Sequence, residues 1–334
     1  MDSQRSDKEK SAANDPALLV KDLERGHRVN RVFLVENSNF KQTRNNKYFI
    51  QTDLRDRTGS IKGIRWEADR ALFDSFRATD FVHVVGRVEE FQSHLQIIID
   101  KITKIDDRDV EVEFFLPTSD KDIGALELEL QKTIDDFEDT DLKALLDALL
   151  SEDEVRQGLR RCPAGKTLHH AWVGGLLEHI VSLCHAAKLI CENYPQLNRD
   201  LLLTGVVLHD LGKLRELSFD RSFGYTNLGQ LLGHIAIGVA WVSEVAKKIE
   251  GFPDAKLIQV QHLIASHHGE HEFGAIKRPM TREAVALHYL DNLDAKLSLL
   301  DTVEREQGLR RGKDGENGAW SDFHPAMGRR MFFP

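Results

Sequence analysis

The sequence predicts a multidomain chain, a small all-β barrel followed by an all-α domain, and three observations carry that prediction. From about residue 28 to 105, short β-branched and aromatic runs alternate with turn signals. From residue 123 to about 305 the apolar residues recur with a helical period, and no strand pattern is evident. The charge balance also changes between the two: residues 28–108 carry 15 Lys and Arg against 12 Asp and Glu, whereas residues 109–160 carry 5 against 16.

Residues 1–27 open with "MDSQRSDKEKSAANDP", polar and mixed in charge, and are expected to form a disordered lead-in without a secretory signal. Residues 28–108 contain five strand-like runs, "RVFLVENSNF", "KYFIQTDLRD", "GSIKGIRWE", "DFVHVVGRVEEF" and "HLQIIIDKITKI", separated by turns such as "NN", "RTGS" and "FQSH". One helical insert, "EADRALFDSFRA", interrupts them. Five strands and one helix in under 90 residues suit an OB-fold, a five-stranded barrel with an oligonucleotide-binding face, and other small barrels stay open on pattern alone. Residues 109–122, closed by Pro117, are expected to be a linker. The all-α domain covers 123–305, and the Gly- and charge-rich stretch 306–334 is expected to be a loop or docking tail.

The chain has 334 residues, 41% hydrophobic and 30% charged, with a net charge of −9. That is enough material for two domains, each with its own core. No uninterrupted apolar run approaches the ~18 residues that span a bilayer, so no transmembrane segment is expected. Three cysteines (Cys162, Cys184, Cys191) without a CxxC pairing fit a reducing, cytoplasmic setting. The net acidity sits mainly in 109–160, so the mildly basic barrel region is permissive for a polyanionic partner.

The chemistry concentrates in "VVLHDLGKLRE", residues 206–216, where an apolar run ends in His209 and Asp210 side by side. Buried polar groups need partners, so either this pair is solvated at a helix end or a charged species lies between the two side chains. Further His and Asp residues lie within or at the edge of apolar helical runs, His179, His234 and Asp291 in "LHYLDNLDAK", and His267 stands in the "SHHG" pair outside such a run. A lone His on an apolar helix is usually a satisfied core residue, and His185, His262, His271 and His288 are read as core or surface residues. Six such groups together suit two divalent first-row ions. A carboxylate can span two ions and an imidazole cannot, so Asp210 is the expected bridge. His169 and His170 compete with His179 for the first ligand position.

These motifs resemble the HD-domain superfamily of metal-dependent phosphohydrolases. The stretches "HHAWVGGLLEH", "HDLGKLRELS", "YTNLGQLLGHI", "SHHGEHEFGAIKRPMTREAVALHYLDNLDAK" and "GRRMFFP" further resemble the YhaM-type 3′-to-5′ exoribonucleases, over roughly residues 28–334. The resemblance implies an OB-fold ahead of an HD domain, and metal ligands at His179, His209, Asp210, His234, His267 and Asp291. His268 then lines the substrate pocket or coordinates as well. It implies two divalent ions, Mn²⁺ first, with Fe, Co or Mg as alternatives.

Two ions would activate water and neutralise phosphoryl charge, making Asp210 and Lys213 the catalytic pair, with Lys213 reaching the substrate phosphate as a point charge. Gly212 would allow a close approach, and Arg278 is a second candidate phosphate contact. On the barrel, Tyr48, Phe49, Trp66 and Arg65 are the candidates for holding a single strand by stacking and charge, although aromatic residues in strands are more often core. The expected activity is 3′-to-5′ exonuclease action on single-stranded RNA, and on single-stranded DNA as an extension, giving nucleoside 5′-monophosphates. A homo-oligomer is compatible with the sequence. Two alternatives stand beside it. One is a phosphohydrolase of small nucleotides (dNTPs or cyclic dinucleotides), which would have no need of the barrel. The other is a non-catalytic nucleic-acid-binding protein, which would have no need of a full ligand set.

Overall fold

The structure, a computed structural model, describes residues 19–92, 94–106, 108, 110, 114–116, 118–119, 121–165, 172–219, 224–307, 309 and 318–334. The lead-in up to residue 18 and the competing ligands His169 and His170 lie outside the described residues. The chain divides into two compact units, the first ending at Thr118 and the second beginning at Ser119.

The first unit is a closed five-stranded barrel: β1 (Arg28–Gln42), β2 (Tyr48–Asp56), β3 (Gly59–Trp66), β4 (Phe81–Phe91) and β5 (His94–Lys104), in the order β1-β2-β3-β5-β4. All pairings are antiparallel except β3 with β5. Closure removes the open edges that would otherwise invite association. Alternation puts Ile50, Thr52 and Leu54 of β2 inward, where they meet Phe33, Val82, Val84, Ile97 and Ile99. The short helix α1 (Arg70–Asp74) follows β3, capped by the Asp69 carboxylate, which accepts from the Leu72 amide. Two segments beyond the strands join this unit. Leu23 is buried in the barrel core, and the Asp56 carboxylate accepts from the Val20 amide while pairing with Arg31. Phe115, in the stretch expected to be a free linker, is buried against Phe81 at 5.0 Å between ring centroids.

The second unit is built from helices α2 (Ile123–Asp135), α3 (Thr140–Ser151), α4 (Asp153–Arg161), α5 (Gly175–Asn193), α6 (Arg199–Leu208), α7 (Lys213–Glu216), α8 (Asn227–Ala246), α9 (Asp254–Ser266) and α10 (Arg282–Glu306). Two short ribbons were not anticipated by the helical period: β6 (Leu217–Ser218) with β7 (Gly224–Tyr225), and β8 (Ala319–Trp320) with β9 (Phe332–Phe333). At two residues per strand, such pairs are too short to leave a period-two signature.

Helix α6 is the axis of this unit. Every residue from Asp200 to Leu208 is buried, which is why its sequence is apolar all round rather than on one stripe. α5 and α10 pack against it with Leu176, Leu177, Ile180, Leu287 and Leu290 in a common core. α8 is long and apolar enough by length and composition to cross a membrane, which its interrupted apolar runs had not suggested. Its Ile235, Trp241, Val242 and Val245 lie in the same core. α8 is broken at Gly233, whose φ of 71° lies in the left-handed region, and the break sets His234 at a fresh helix start.

The acidity of residues 135–154 has local causes. Asp139 caps α3 and pairs with Lys256, Asp200 accepts from the amides of Glu138 and Asp139, and Glu152 accepts from the Trp241 indole. Glu154 takes a two-point contact from Arg215.

Candidate metal centre

A fully buried helix that stops abruptly delivers its next residues into the interior. α6 ends at Leu208, and His209 and Asp210 follow with 0% and 2% exposure. The turn can sit there because Gly212 lacks a side chain. A Cβ at that position would lie 2.0 Å from the His234 carbonyl oxygen, so the close approach anticipated at Gly212 is one of backbone to backbone. α5 supplies His179, the start of the second half of α8 supplies His234, the end of α9 supplies His267 and His268, and α10 supplies Asp291.

The six expected ligands and His268 therefore converge. They form two groups of three: His179, His209 and Asp291, and His234, His267 and His268. Asp210 stands between them. Its Oδ1 is 3.4 Å from His234 Nε2 and 3.6 Å from His267 Nε2, while its Oδ2 is 3.4 Å from His209 Nε2. His268, expected to line the substrate pocket or to coordinate as well, stands with His234 and His267 in a group that could hold a metal.

The imidazoles all point the same way chemically. His179 has its Nδ1 2.7 Å from Asp294, His209 2.8 Å from the Val206 carbonyl, and His234 3.2 Å from Glu216. His267 has its Nδ1 2.8 Å from the Ile264 carbonyl, and His268 2.8 Å from the Phe273 carbonyl. An acceptor at every Nδ1 selects the tautomer that leaves Nε2 as a lone pair. Two of those lone pairs, on His179 and His209, face each other at 3.3 Å. Three buried atoms, Asp210 Oδ1, His234 Nε2 and His267 Nε2, have no hydrogen-bond partner. Orphaned acceptors gathered in one buried volume are costly unless a cation satisfies them. The donor set, imidazole nitrogen with carboxylate oxygen, is that of a divalent first-row metal site, and the residues fit two ions.

The electrostatics divide: burial would lower the His179 imidazole, but the Asp291 and Asp294 carboxylates raise it to about 9, whereas Asp210 and His267 shift toward the forms that coordinate metal. Burial would push the Asp210 carboxyl up, but Lys213 and the surrounding imidazoles pull it well below the ordinary range. Burial also acts on His267 and, with His209 beside it, drives the imidazole well below its usual value, toward the neutral form that coordinates metal.

Two further residues expected at the substrate have partners within the protein. Lys213 is buried, and its Nζ donates to Asp210 Oδ2 and to the Ala164 carbonyl, both at 2.6 Å. A buried ammonium needs its counter-charge close, and Asp210 supplies it. Arg278 is turned to Glu270 at 2.7 Å within its own loop.

On the barrel, strand parity divides the expected contacts. Phe49 and Trp66 are partners across β2 and β3, with ring centroids 5.0 Å apart, and they line a groove of about 730 Å³. Trp66 is 45% exposed. Tyr48 and Arg65 point to the other side of their strands. Tyr48 stacks on Phe40 at 5.0 Å, and Arg65 donates to the Ile99 carbonyl at 3.4 Å. The groove also takes Phe91, Leu95 and Lys62, which sequence pattern alone did not single out.

Glu216 and Asp294 were missed as well. Both lie in quoted motifs, Glu216 three residues beyond Lys213 and Asp294 three beyond Asp291, a spacing that places each near its neighbour's face of a helix.

Comparison with known proteins agrees with this architecture. Residues 176–296 match the HD domain family, and residues 31–105 match a family described as OB-fold nucleic acid binding domain. Fold and site together thus define an HD-domain protein with an OB-fold module. The 3′-5′ exoribonuclease YhaM of Bacillus subtilis (strain 168) is 35% identical over 292 residues, covering 87% of this chain and 90% of its own length. That of Listeria welshimeri is 32% identical over 296 residues, covering 88% and 92%. A solved replication protein A domain from Methanococcus maripaludis is 25% identical over 27% of this chain and 94% of its own, with a TM-score of 0.23. The chain belongs to the YhaM family of 3′-5′ exoribonucleases.

Proposed function

We propose that the protein is a metal-dependent 3′-to-5′ exonuclease that degrades single-stranded RNA to nucleoside 5′-monophosphates. The observation that carries the reading is the pair of three-residue groups joined by Asp210, with the orphaned Asp210 Oδ1, His234 Nε2 and His267 Nε2 between them. His179, His209 and Asp291 would hold one ion, and His234, His267 and His268 the other. Asp210 would offer one carboxylate oxygen to each. When bound, two divalent ions supply an activated water and neutralise charge on the phosphoryl oxygens. Mn²⁺ is the proposed metal because the family resemblance implies it; the mixed imidazole and carboxylate donor set also suits Fe or Co.

The chain's own contribution is to hold these groups rigid and dry. Lys213 would keep Asp210 ionised and oriented through their ion pair. The barrel groove would hold the body of the strand, with Phe49 and Trp66 as stacking surfaces for bases. Single-stranded DNA is a second substrate on this reading, because a stacking groove makes no demand on the 2′-hydroxyl. A cytoplasmic location is supported by the three free thiols.

The test uses 5′-labelled single-stranded RNA with Mn²⁺, with and without a chelator. The expected result is a ladder shortening stepwise from the 3′ end, mononucleotide 5′-phosphates as products, and no cleavage with chelator. A duplex and a circular single strand should both resist. Efficient cutting of the circle would replace the exonuclease with an endonuclease.

A further inference from the structure

Among the five imidazoles of the centre, the Nδ1 partners are of two kinds. His209, His267 and His268 are anchored on backbone carbonyls, of Val206, Ile264 and Phe273. His179 and His234 are anchored on carboxylates, of Asp294 and Glu216. Each three-residue group therefore contains one carboxylate-backed histidine.

Both carboxylates are themselves held. Ser182 Oγ donates to Asp294 Oδ1 at 2.6 Å, leaving Oδ2 for His179. Glu216 is 9% exposed, and its Oε1 accepts from the His234 backbone amide at 3.1 Å as well as from the ring. That second contact falls just after the left-handed Gly233, so Glu216 fixes both the ring and the new helix start that carries it. A carbonyl acceptor only orients an imidazole. A carboxylate acceptor also raises the donor strength of the far nitrogen.

We infer that Glu216 and Asp294 are positioning residues, each setting the metal affinity of one half of the centre independently of the other. This role rests on the two-ion reading above. Asp294 governs the half formed by His179, His209 and Asp291, and Glu216 the half formed by His234, His267 and His268.

The test is calorimetric Mn²⁺ titration of the full-length metal-free protein, with electron paramagnetic resonance reading the coupling between two bound ions. Glu216→Gln and Asp294→Asn keep shape and an accepting oxygen but remove the charge, so a purely structural role would leave them like wild type. The expected result is that each substitution weakens one of two ions by about 10–100-fold, the range for outer-sphere partners of metal ligands. The other ion should hold within about twofold, and the coupled signal should be lost at limiting Mn²⁺. The double variant should weaken both ions. Thermal melting of the metal-free variants checks that they fold. Two ions bound with wild-type affinity in both single variants would overturn the role while leaving the two-ion centre intact. Equal weakening of both ions by either single substitution would overturn the independence of the halves. A wild-type protein that binds no Mn²⁺ would remove the two-ion reading and this role together.

Discussion

The side chain on which the site turns is Asp210, because its two oxygens face different groups of histidines. Asp210→Ala should reduce RNA cleavage to background and drop the bound Mn²⁺ below two per chain, read by assay and metal analysis on the same sample. Circular dichroism should show the helical content retained. Lys213 gives a sharper test, because it was expected at the substrate phosphate and its Nζ donates to Asp210. A phosphate contact, once removed, raises KM; a prop under Asp210, once removed, lowers kcat and metal affinity. Lys213→Met should follow the second pattern. It should also lower stability by about 3–5 kcal/mol in the metal-free protein, because Asp210 would then be a buried charge without its partner. A raised KM with unchanged kcat would return Lys213 to the substrate.

Secondary-structure elements bring these side chains together through a few close contacts. Gly212 is one: a Cβ there would collide with the His234 carbonyl oxygen, and neither backbone has a flexible side chain to yield. Gly212→Ala should therefore cost about 1–3 kcal/mol, in the manner of other overpacked sites, and weaken Mn²⁺ binding in the His234 group. The acidic helices give a pH prediction. Burial tends to raise the Asp139 carboxyl, but Lys256 and the amides of Leu142 and Asp141 hold it below its ordinary 3.8. A depressed carboxylate contributes stability that is present above that ordinary value and lost as pH falls through the depressed one. Asp139→Ala should lower stability by about 0.5–2 kcal/mol at neutral pH, the usual range for a lost helix cap. Urea melts should show the gap between variant and wild type closing in acid below that value. A gap that persists at low pH would mean that Asp139 acts by packing instead.

The whole molecule joins a strand-holding barrel to a hydrolytic helical domain. Trp66→Ala should weaken binding of a single-stranded 20-mer by about 1–3 kcal/mol, the range for one base–aromatic stack. Tyr48→Ala should leave that affinity near wild type, since Tyr48 stacks on Phe40 away from the groove. Fluorescence anisotropy reads both, and hydrolysis of bis-p-nitrophenyl phosphate should be unchanged in each. The barrel, the helical domain and the metal-competent residues were legible in the sequence because each leaves a local mark: period-two runs, helical runs, and a His or Asp set in apolar surroundings. The contact of Lys213 with Asp210 was not, because sequence cannot show whether a lysine at a helix start is solvated or buried against a carboxylate. Glu216 and Asp294 looked like ordinary helix-surface acids, since burial depends on residues far away in the chain. The division of Phe49 and Trp66 from Tyr48 and Arg65 needed the strand register, which shifts the face with every residue.

The central claim is that two ions sit on either side of Asp210. Diffraction from crystals grown with Mn²⁺, recorded at the manganese absorption edge, tests it most directly. The account predicts two anomalous peaks about 3.5–4 Å apart, one among His179, His209 and Asp291 and the other among His234, His267 and His268, with Asp210 between them. A single peak, or peaks away from Asp210, would contradict it.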